Sequence, residues 1–225
     1  MESAVTERAQ IAREDMLSAH FHELKNSLAQ LSISLDSIPR KGCADHDAPL
    51  DAVRLLCGQI GNRLHQTLLL YRGSARGVPV NVDAYCPAEL LDALTATAAS
   101  LAAGRLALVS GIVGDVPAIW FFDRNLVEMA MLNAIHNSLA HARTQIAVSM
   151  GMREGCLELT VRDDSPGYPE HVLNVQGGGI PGRTGGTGLG LHFAAMIAKA
   201  HVNRGRCGRT ELSNQSGACF SLLLP

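Results

Sequence analysis

Apolar residues recur at alternating intervals of four and three between residues 17 and 38, and no other pattern limits the possible folds so strongly. The repeat consists of Leu17, Phe21, Leu24, Leu28, Leu31, Leu35 and Ile38. Such a heptad seam predicts a coiled coil or a helical bundle, because it keeps one apolar stripe turned towards a partner helix. Pro39 and Gly42 end this helix.

A second helix is predicted to begin near Asp47 and Pro49. Its broader apolar stripe consists of Val53, Leu56, Ile60, Leu64, Leu68 and Tyr71. Two such helices joined by a short polar loop form an antiparallel hairpin. Because a single hairpin leaves part of both stripes exposed, we expect two copies to pair into a four-helix bundle, which makes the protein a homodimer.

The segment Gly73-Ser-Ala-Arg-Gly77-Val-Pro79 has the composition of a linker. We therefore expect a hairpin domain over residues 1–76 and a second domain over residues 77–225. In the second domain, helices are predicted over Pro87–Ala102, Asn133–His141 and His192–His201, and strands over Leu106–Val109, Ala118–Phe122, Ile146–Met150, Leu157–Val161 and Ala218–Leu224. The expected fold class is α+β, with three helices layered over one mixed sheet.

Two segments of the second domain have the residues of a nucleotide site. Asn133, Asn137 and His141 share one face of a predicted helix at i, i+4 and i+8, with Asp123 as its N-cap. Leu132, Ile135 and Leu139 lie on another face, so the helix resembles one wall of a polar cleft. The glycine-rich segment Gly185–Leu191 opens onto a helix, an arrangement that brings backbone N–H groups close to phosphate.

Composition excludes several other classes of protein. The net charge is −2, and aromatic residues are 4% of the chain, so neither a basic surface nor a base-stacking platform for nucleic acid is expected. Six of the first twenty residues are charged, so this segment is neither a signal peptide nor a spanning helix, and no apolar run elsewhere is long enough to cross a bilayer. The cysteines show no C-x-x-C pair, which favours reduced thiols and a cytoplasmic location without membrane insertion.

The order of these motifs resembles that of sensor histidine kinases. His22-Glu-Leu-Lys-Asn-Ser-Leu28 is similar to their phosphoacceptor box, and Asn133–His141 is similar to their asparagine box. Val161-Arg-Asp163-Asp-Ser-Pro-Gly167 and Gly186-Thr-Gly-Leu-Gly190-Leu look like their two glycine boxes. One short match would be weak, but four in the family's order are strong. The resemblance spans nearly the whole chain and implies a dimerising phosphoacceptor hairpin followed by a Bergerat-type ATP-binding domain.

This resemblance implies that ATP and Mg²⁺ bind the second domain. Asn137 would ligate the Mg²⁺ between the phosphates, since a carboxamide oxygen is a hard ligand, and Asn133 would support the ion or its waters. Asp163 would accept a hydrogen bond from the adenine amino group, while Gly167 would let the backbone pass close to the base. Further nucleotide contacts are expected from His141, Gly186, Thr187, Gly188, Leu189 and Gly190.

By the same resemblance, His22 would be the catalytic phosphoacceptor. Glu23 would act as general base or hold the imidazole tautomer. Asn26, one turn further, would orient a water molecule for dephosphorylation of the partner. The expected partner is the aspartate of a response-regulator receiver domain, and the stimulus would reach the hairpin from a separate sensory protein.

Departures from the family pattern leave a second hypothesis open. Ala140 replaces a basic residue, Ser165 stands where glycine is usual, and the short segment between Gly167 and Gly185 lacks the phenylalanine box. The alternative is an ATP-independent histidine phosphotransfer protein, or relay, with a degenerate nucleotide domain. A dimeric ATPase of the related chaperone and topoisomerase type would need a carboxylate at Asn133, which the sequence does not provide.

Overall fold

The computed structural model describes residues 78–102, 104–173 and 189–225, together with Leu24, Asn26, Leu28, Leu31, Ile33, Leu35, Val53, Cys57, Ile60 and Gly61. The chain divides into two compact units, residues 1–75 and residues 76–225. Every described residue of the first unit is helical. Leu24 and Leu31 of the predicted seam are 52% and 46% exposed in the single chain, and a partner helix would bury them. The hairpin, its homodimer and the four-helix bundle stay predictions, because most of their residues lie outside the described ones.

The second unit is an α+β domain. Its described elements are β1 (Asp83–Tyr85), α1 (Pro87–Ala102), β2 (Ala107–Val113), β3 (Trp120–Phe122), α2 (Arg124–His141), β4 (Gln145–Arg153), β5 (Cys156–Asp163), α3 (Glu170–Leu173), α4 (Leu189–Ala200), β6 (Val202–Asn203), β7 (Arg206–Cys207), β8 (Arg209–Asn214) and β9 (Ala218–Leu224). The main sheet has the strand order β2-β4-β5-β9-β8. It is mixed, as predicted, because β2 runs parallel to β4 and the other neighbours are antiparallel. None of these helices is long and apolar enough to span a membrane.

The core lies between this sheet and the helices α1, α2 and α4, which contact it. On the covered face, Val148 is opposite Val161, which in turn is opposite Phe220, and all three are buried. The helices add Leu90, Leu94, Met131, Ile135, Phe193 and Ile197 to the same core. Full burial of one such side chain contributes about 1.5–3 kcal/mol. The alternation of apolar residues in β4 and β5 therefore arises because helices cover only one face, whereas the inner strand β9 is buried throughout.

The opposite face of the sheet is more polar, above all on β5 and β8, and charged side chains connect its strands. Arg153 of β4 forms ion pairs with Glu158 of β5 at 3.3 Å and with Glu211 of β8 at 2.6 Å. Arg209 donates to Glu211 at 2.8 Å. This face therefore needs no covering helix among the described residues, and the helix layer stays on one side.

The prediction of a single sheet is wrong in part. β1 pairs with β3 and β6 with β7 as separate two-stranded sheets, and β8 forms an edge of the main sheet that was not predicted. Strands of two or three residues are too short to show alternation, and β8 is mostly polar. The predicted strand at Leu106–Val109 runs instead from Ala107 to Val113, and the last helix begins at Leu189.

Candidate functional site

Asp123 caps the start of α2 and joins it to an upstream segment. Its Oδ1 accepts a hydrogen bond from the N–H of Leu126 at 3.0 Å, while Oδ2 accepts one from the N–H of Asn81 at 2.8 Å. The predicted N-cap is therefore confirmed. Such a cap satisfies one of the backbone donors that the first turn of a helix leaves without a partner.

The polar face of α2 points away from the core. Asn137 and His141 are exposed, and Asn133 is half-buried. The buried side of the helix consists of Leu126, Val127, Ala130, Met131, Ala134, Ile135 and Ser138. The predicted stripe is thus corrected: Ile135 is buried, but Leu132 and Leu139 are only half-buried. Leu132 and Leu139 flank the buried side, so the apolar surface of α2 is wider than the predicted stripe of three residues.

Gly190, in the first turn of α4, lies against the carboxamide of Asn133. A Cβ at Gly190 would be 3.4 Å from Cγ of Asn133 and 3.5 Å from its Oδ1 and Nδ2. A methyl group would just touch the carboxamide at this distance, and any longer side chain would displace it. The asparagine helix and the second glycine motif, far apart in sequence, therefore meet at this point.

Asp163 ends β5 as a buried carboxylate, 5% exposed. Its Oδ1 accepts hydrogen bonds from the N–H of Ser165 at 2.9 Å and from the N–H of Ala218 at 3.4 Å. Gly217 lies directly on the backbone of Asp163, since a Cβ there would be 1.8 Å from the Asp163 carbonyl oxygen. The carboxylate is thus held in one orientation by two neighbouring loops.

The loop after Asp163 follows the first glycine motif and is fixed by Asn214. Gly167 has a φ of +95°, and a Cβ there would lie 2.6 Å from Cγ of Asn214. Asn214 accepts from the N–H of Tyr168 at 2.8 Å and donates to its carbonyl at 2.9 Å. The Ser165 hydroxyl accepts from the N–H of Gly167 at 3.2 Å. Serine is accommodated in place of the usual glycine because φ is not positive at this position.

Asp164 connects this loop to the C-terminal end of α2. Its carboxylate accepts from the N–H groups of Arg143, Thr144 and Gln145 and from the Thr144 hydroxyl. These bonds, the Thr144 hydroxyl above all, hold the pKa of Asp164 well below its ordinary value. The first glycine motif is therefore anchored just beyond His141, the last predicted site residue of the helix.

His201 joins the opposite end of α2 to α4. Its Nε2 accepts from the N–H of Asp123 at 3.0 Å, and its Nδ1 faces the carbonyl of Ile197 at 2.8 Å. Since a carbonyl can only accept, the proton lies on Nδ1, and the ring is a neutral imidazole. The helices α2 and α4 are therefore in contact at Asn133 and Gly190 and are hydrogen-bonded near the start of α2.

Burial shifts the pKa values of two side chains on the elements that form the site. Burial raises the pKa of the Tyr168 phenol far above its ordinary value, and the nearby Asp163 and Cys219 raise it further. Burial lowers the pKa of His136 on α2. The Tyr168 phenol is thus harder to deprotonate, and the His136 imidazole harder to protonate, than the same side chains in water.

The structure brings together part of the predicted site. Asn133 and Gly190 are in contact, while Asp163 and Gly167 belong to the loop that Asp164 anchors beside the end of α2. His22, Glu23, Gly186, Thr187 and Gly188 lie outside the described residues; Leu189 is described only as helical, and Asn26 is helical and exposed. Asp164, Asn214 and His201 were missed. Only Asp164, adjacent to Asp163, had a signal in the sequence.

The exposed carboxamide of Asn137 fits the requirements of Mg²⁺. This ion is usually held by one or two protein oxygens together with substrate phosphates and water, and Asn137 presents such an oxygen one turn after Asn133 on the same face. In the described part of the chain, no group of three or more His, Cys, Asp or Glu side chains could hold a metal ion by itself. A metal at Asn137 would therefore need further oxygen ligands, such as water or the phosphates of a bound nucleotide.

Comparison with known proteins relates this geometry to a family. Residues 122–225 match the model described as "Histidine kinase-, DNA gyrase B-, and HSP90-like ATPase". The sensor histidine kinase MtrB of Mycobacterium tuberculosis is 30% identical over 228 aligned positions, which cover 91% of this chain and 37% of MtrB. The signal transduction histidine-protein kinase AfsQ2 of Streptomyces coelicolor is 31% identical over 109 positions, which cover 46% of this chain and 20% of AfsQ2. The chain thus spans little more than a third of the length of MtrB.

A solved structure gives the same result for the fold. Full-length ShkA in complex with AMPPNP has a TM-score of 0.65, covers 93% of this chain and 44% of its own, and is 15% identical in sequence. At this identity the likeness concerns the fold alone.

Proposed function

We propose that this chain, a member of the sensor histidine kinase family, transfers the γ-phosphoryl group of ATP to His22 and then to an aspartate of a response regulator. The observation that carries the proposal is the contact between Gly190 and Asn133. It brings the second glycine motif to the carboxamide face of α2, where the nucleotide phosphates and their metal are expected. The complex of ShkA with AMPPNP is consistent with such a site on the same fold.

The residues of the second unit have positioning roles in this proposal. Phosphoryl transfer mainly requires alignment and neutralisation of charge, not a nucleophile in the nucleotide domain. Asn137, with Asn133 beside it, would hold Mg²⁺, which neutralises phosphate charge when bound. Asp163 would accept from the adenine amino group, since Oδ1 already accepts from two N–H groups and a carboxylate has a second oxygen.

The transfer step itself would take place on His22. One ring nitrogen attacks the γ-phosphorus, the bond to the bridging oxygen breaks, and ADP leaves. Glu23 would accept a hydrogen bond from the other ring nitrogen and so stabilise the positive charge that develops there. The same phosphoryl group then passes to the regulator's aspartate. Asn26, exposed on its helix, would orient a water molecule for the phosphatase reaction, in which water attacks the aspartyl phosphate of the regulator and inorganic phosphate leaves.

One assay tests this function. The protein is incubated with Mg²⁺ and γ-labelled ATP, and we expect label that is labile in acid and stable in base. His22→Gln should abolish labelling, while the matched variant His20→Gln, two residues away, should retain it. Asn137→Ala should lose labelling with His22 intact, because the metal site is removed.

The relay alternative predicts a different result. A chain that acquires no label and whose melting temperature does not rise with Mg²⁺ and ADP would be a phosphotransfer protein without nucleotide binding. Ser165 no longer supports that alternative, because its hydroxyl accepts a hydrogen bond within an intact loop.

A further inference from the structure

β2 is an edge strand of the main sheet, and no described element covers its outer side. It pairs with β4 on one side, and no described strand pairs with its other side. Val109, Ile112 and Val113 are 55%, 49% and 69% exposed. Its sequence, Ala107-Leu-Val-Ser-Gly-Ile-Val113, contains no charge and no proline. Proteins usually protect such edges with a charged residue, a proline, a bulge or a cover, so this strand has the properties of one that pairs with something.

The backbone of β2 determines which residues are available for pairing. The N–H of Ala107 donates to the carbonyl of Thr144 at 2.8 Å, next to the register partner Gln145. Ala107 therefore directs its backbone groups towards β4, and so do the other odd-numbered residues of the strand, because these directions alternate. The groups of Leu108, Ser110 and Ile112 point outwards. An added strand must form its hydrogen bonds with these three.

We propose that β2 is a homotypic interface, at which two copies of this chain pair their β2 strands antiparallel about Ser110. In this register Ser110 is opposite Ser110 of the second copy, and Leu108 is opposite Ile112. Each of these positions has outward-directed backbone groups, so each pair exchanges two N–H···O bonds. A symmetric interface must use the same patch on both copies, and a register centred on one residue meets this requirement.

Opposite charges at the two ends of β2 favour this register over its neighbours. Arg105 precedes β2 by two residues, Asp115 follows it by two, and both are exposed. Residue 105 lies in a bend before the strand, and residue 115 follows a bend at Gly114, whose φ is +72°. Antiparallel pairing centred on residue 110 therefore brings the end of β2 that carries Arg105 in each copy next to the end that carries Asp115 in the other. Opposite charges facing each other across strands stabilise a pair, and like charges destabilise it. A shift of two residues in either direction would keep the alternation of the hydrogen bonds but displace these oppositely charged ends by about 7 Å relative to each other.

Disulfide cross-linking of the full chain tests the register. The two Cα atoms of a hydrogen-bonded antiparallel pair lie about 5.5 Å apart, within the range for a disulfide. Ser110→Cys should therefore give a covalent dimer under mild oxidation. Ala107→Cys is the matched control, because its two copies would be about 20 Å apart in this register. The wild-type chain, oxidised in parallel, gives the background of the native cysteines.

Charge reversal tests the ion pairs in the Ser110→Cys background. Arg105→Glu or Asp115→Arg alone should lower the cross-linked fraction by about fivefold, since two attractive pairs become repulsive. The double reversal should restore it. Equal cross-linking at residues 107 and 110, or no recovery in the double reversal, would overturn the proposal. Neither readout depends on nucleotide binding, so failure here leaves the proposed kinase function intact.

Discussion

Replacement of Gly167 by alanine should be costly, because two separate features of the loop oppose it. The backbone has a φ of +95°, and the new Cβ would lie 2.6 Å from Cγ, 2.7 Å from Oδ1 and 2.8 Å from Nδ2 of Asn214. Ordinary contacts between such atoms are about 3.5–4 Å. Asn214 therefore has to move by close to an ångström, and both of its hydrogen bonds to Tyr168 would break.

The size of the effect follows from these contacts. Positive φ costs a non-glycine residue about 1–2 kcal/mol. Two lost hydrogen bonds at this exposed position add about 1–2 kcal/mol, so Gly167→Ala should lower the free energy of unfolding by about 2–4 kcal/mol. Gly205→Ala is the matched control, since Gly205 has a φ of +77° and nothing within 4 Å of its Cβ position. Gly205→Ala should lower the free energy of unfolding only by the cost of the positive φ, about 1–2 kcal/mol.

Urea unfolding followed by tryptophan fluorescence can measure these differences in the intact chain. Trp120 in β3 is the sole tryptophan of the sequence, so its emission reports on the second unit and not on the first. Asn214→Ala alone should cost about 1–2 kcal/mol. The double variant should cost about 2–4 kcal/mol and not the sum, because the same two hydrogen bonds cannot be lost twice.

The reasoning fails if the two single effects add to within about 0.5 kcal/mol in the double variant. It also fails if Gly167→Ala costs no more than Gly205→Ala. Either result would mean that Asn214 does not restrict the space at Gly167.

Three further predictions concern other contacts of the site. Asp123→Ala should lower the free energy of unfolding by about 1–2 kcal/mol, measured by the same fluorescence titration, because the N–H of Leu126 loses its acceptor. The pKa of Asp164 is lower in the folded state than in the unfolded chain, so its carboxylate stabilises the fold at pH values above about 4 and loses that effect as the pH falls further. Asp164→Asn should therefore have a lower melting temperature than wild type at pH 7. Its melting temperature should also fall less steeply on acidification. Gly190→Ala should keep autophosphorylation close to wild type, whereas Gly190→Leu, which displaces Asn133, should lower its rate by about tenfold in the γ-labelled ATP assay.

The helices and central strands of the second unit could be predicted because their patterns report directly on burial. Pro87–Ala102 forms a helix with the predicted bounds, and β4 and β5 alternate since one face is covered. β9, which was also predicted to alternate, is instead buried along its whole length. Asp123 could be identified as a cap from its place before an apolar helical run. These are local signals, and each depends on residues within a few positions.

The hydrogen bonds that hold the site residues in place could not be predicted, because they join residues far apart in the chain. Asn214 is 46 positions from Tyr168, and His201 is 78 from Asp123. Both side chains look like ordinary polar residues near the end of an element. Ser165 illustrates the reverse case: its identity suggested a damaged motif, yet its hydroxyl stabilises the turn.

The hydrogen bond between His201 and Asp123 fixes the helices α2 and α4 to each other at one end. Antiparallel rods that are joined at one end can separate only by splaying at the other. Gly190 and Asn133 lie about 15 Å along α2 from that joint, at about 1.5 Å per residue. A rotation of about 10° about that joint would therefore change the distance between them by nearly 3 Å, whereas the hydrogen-bonded end would hardly move.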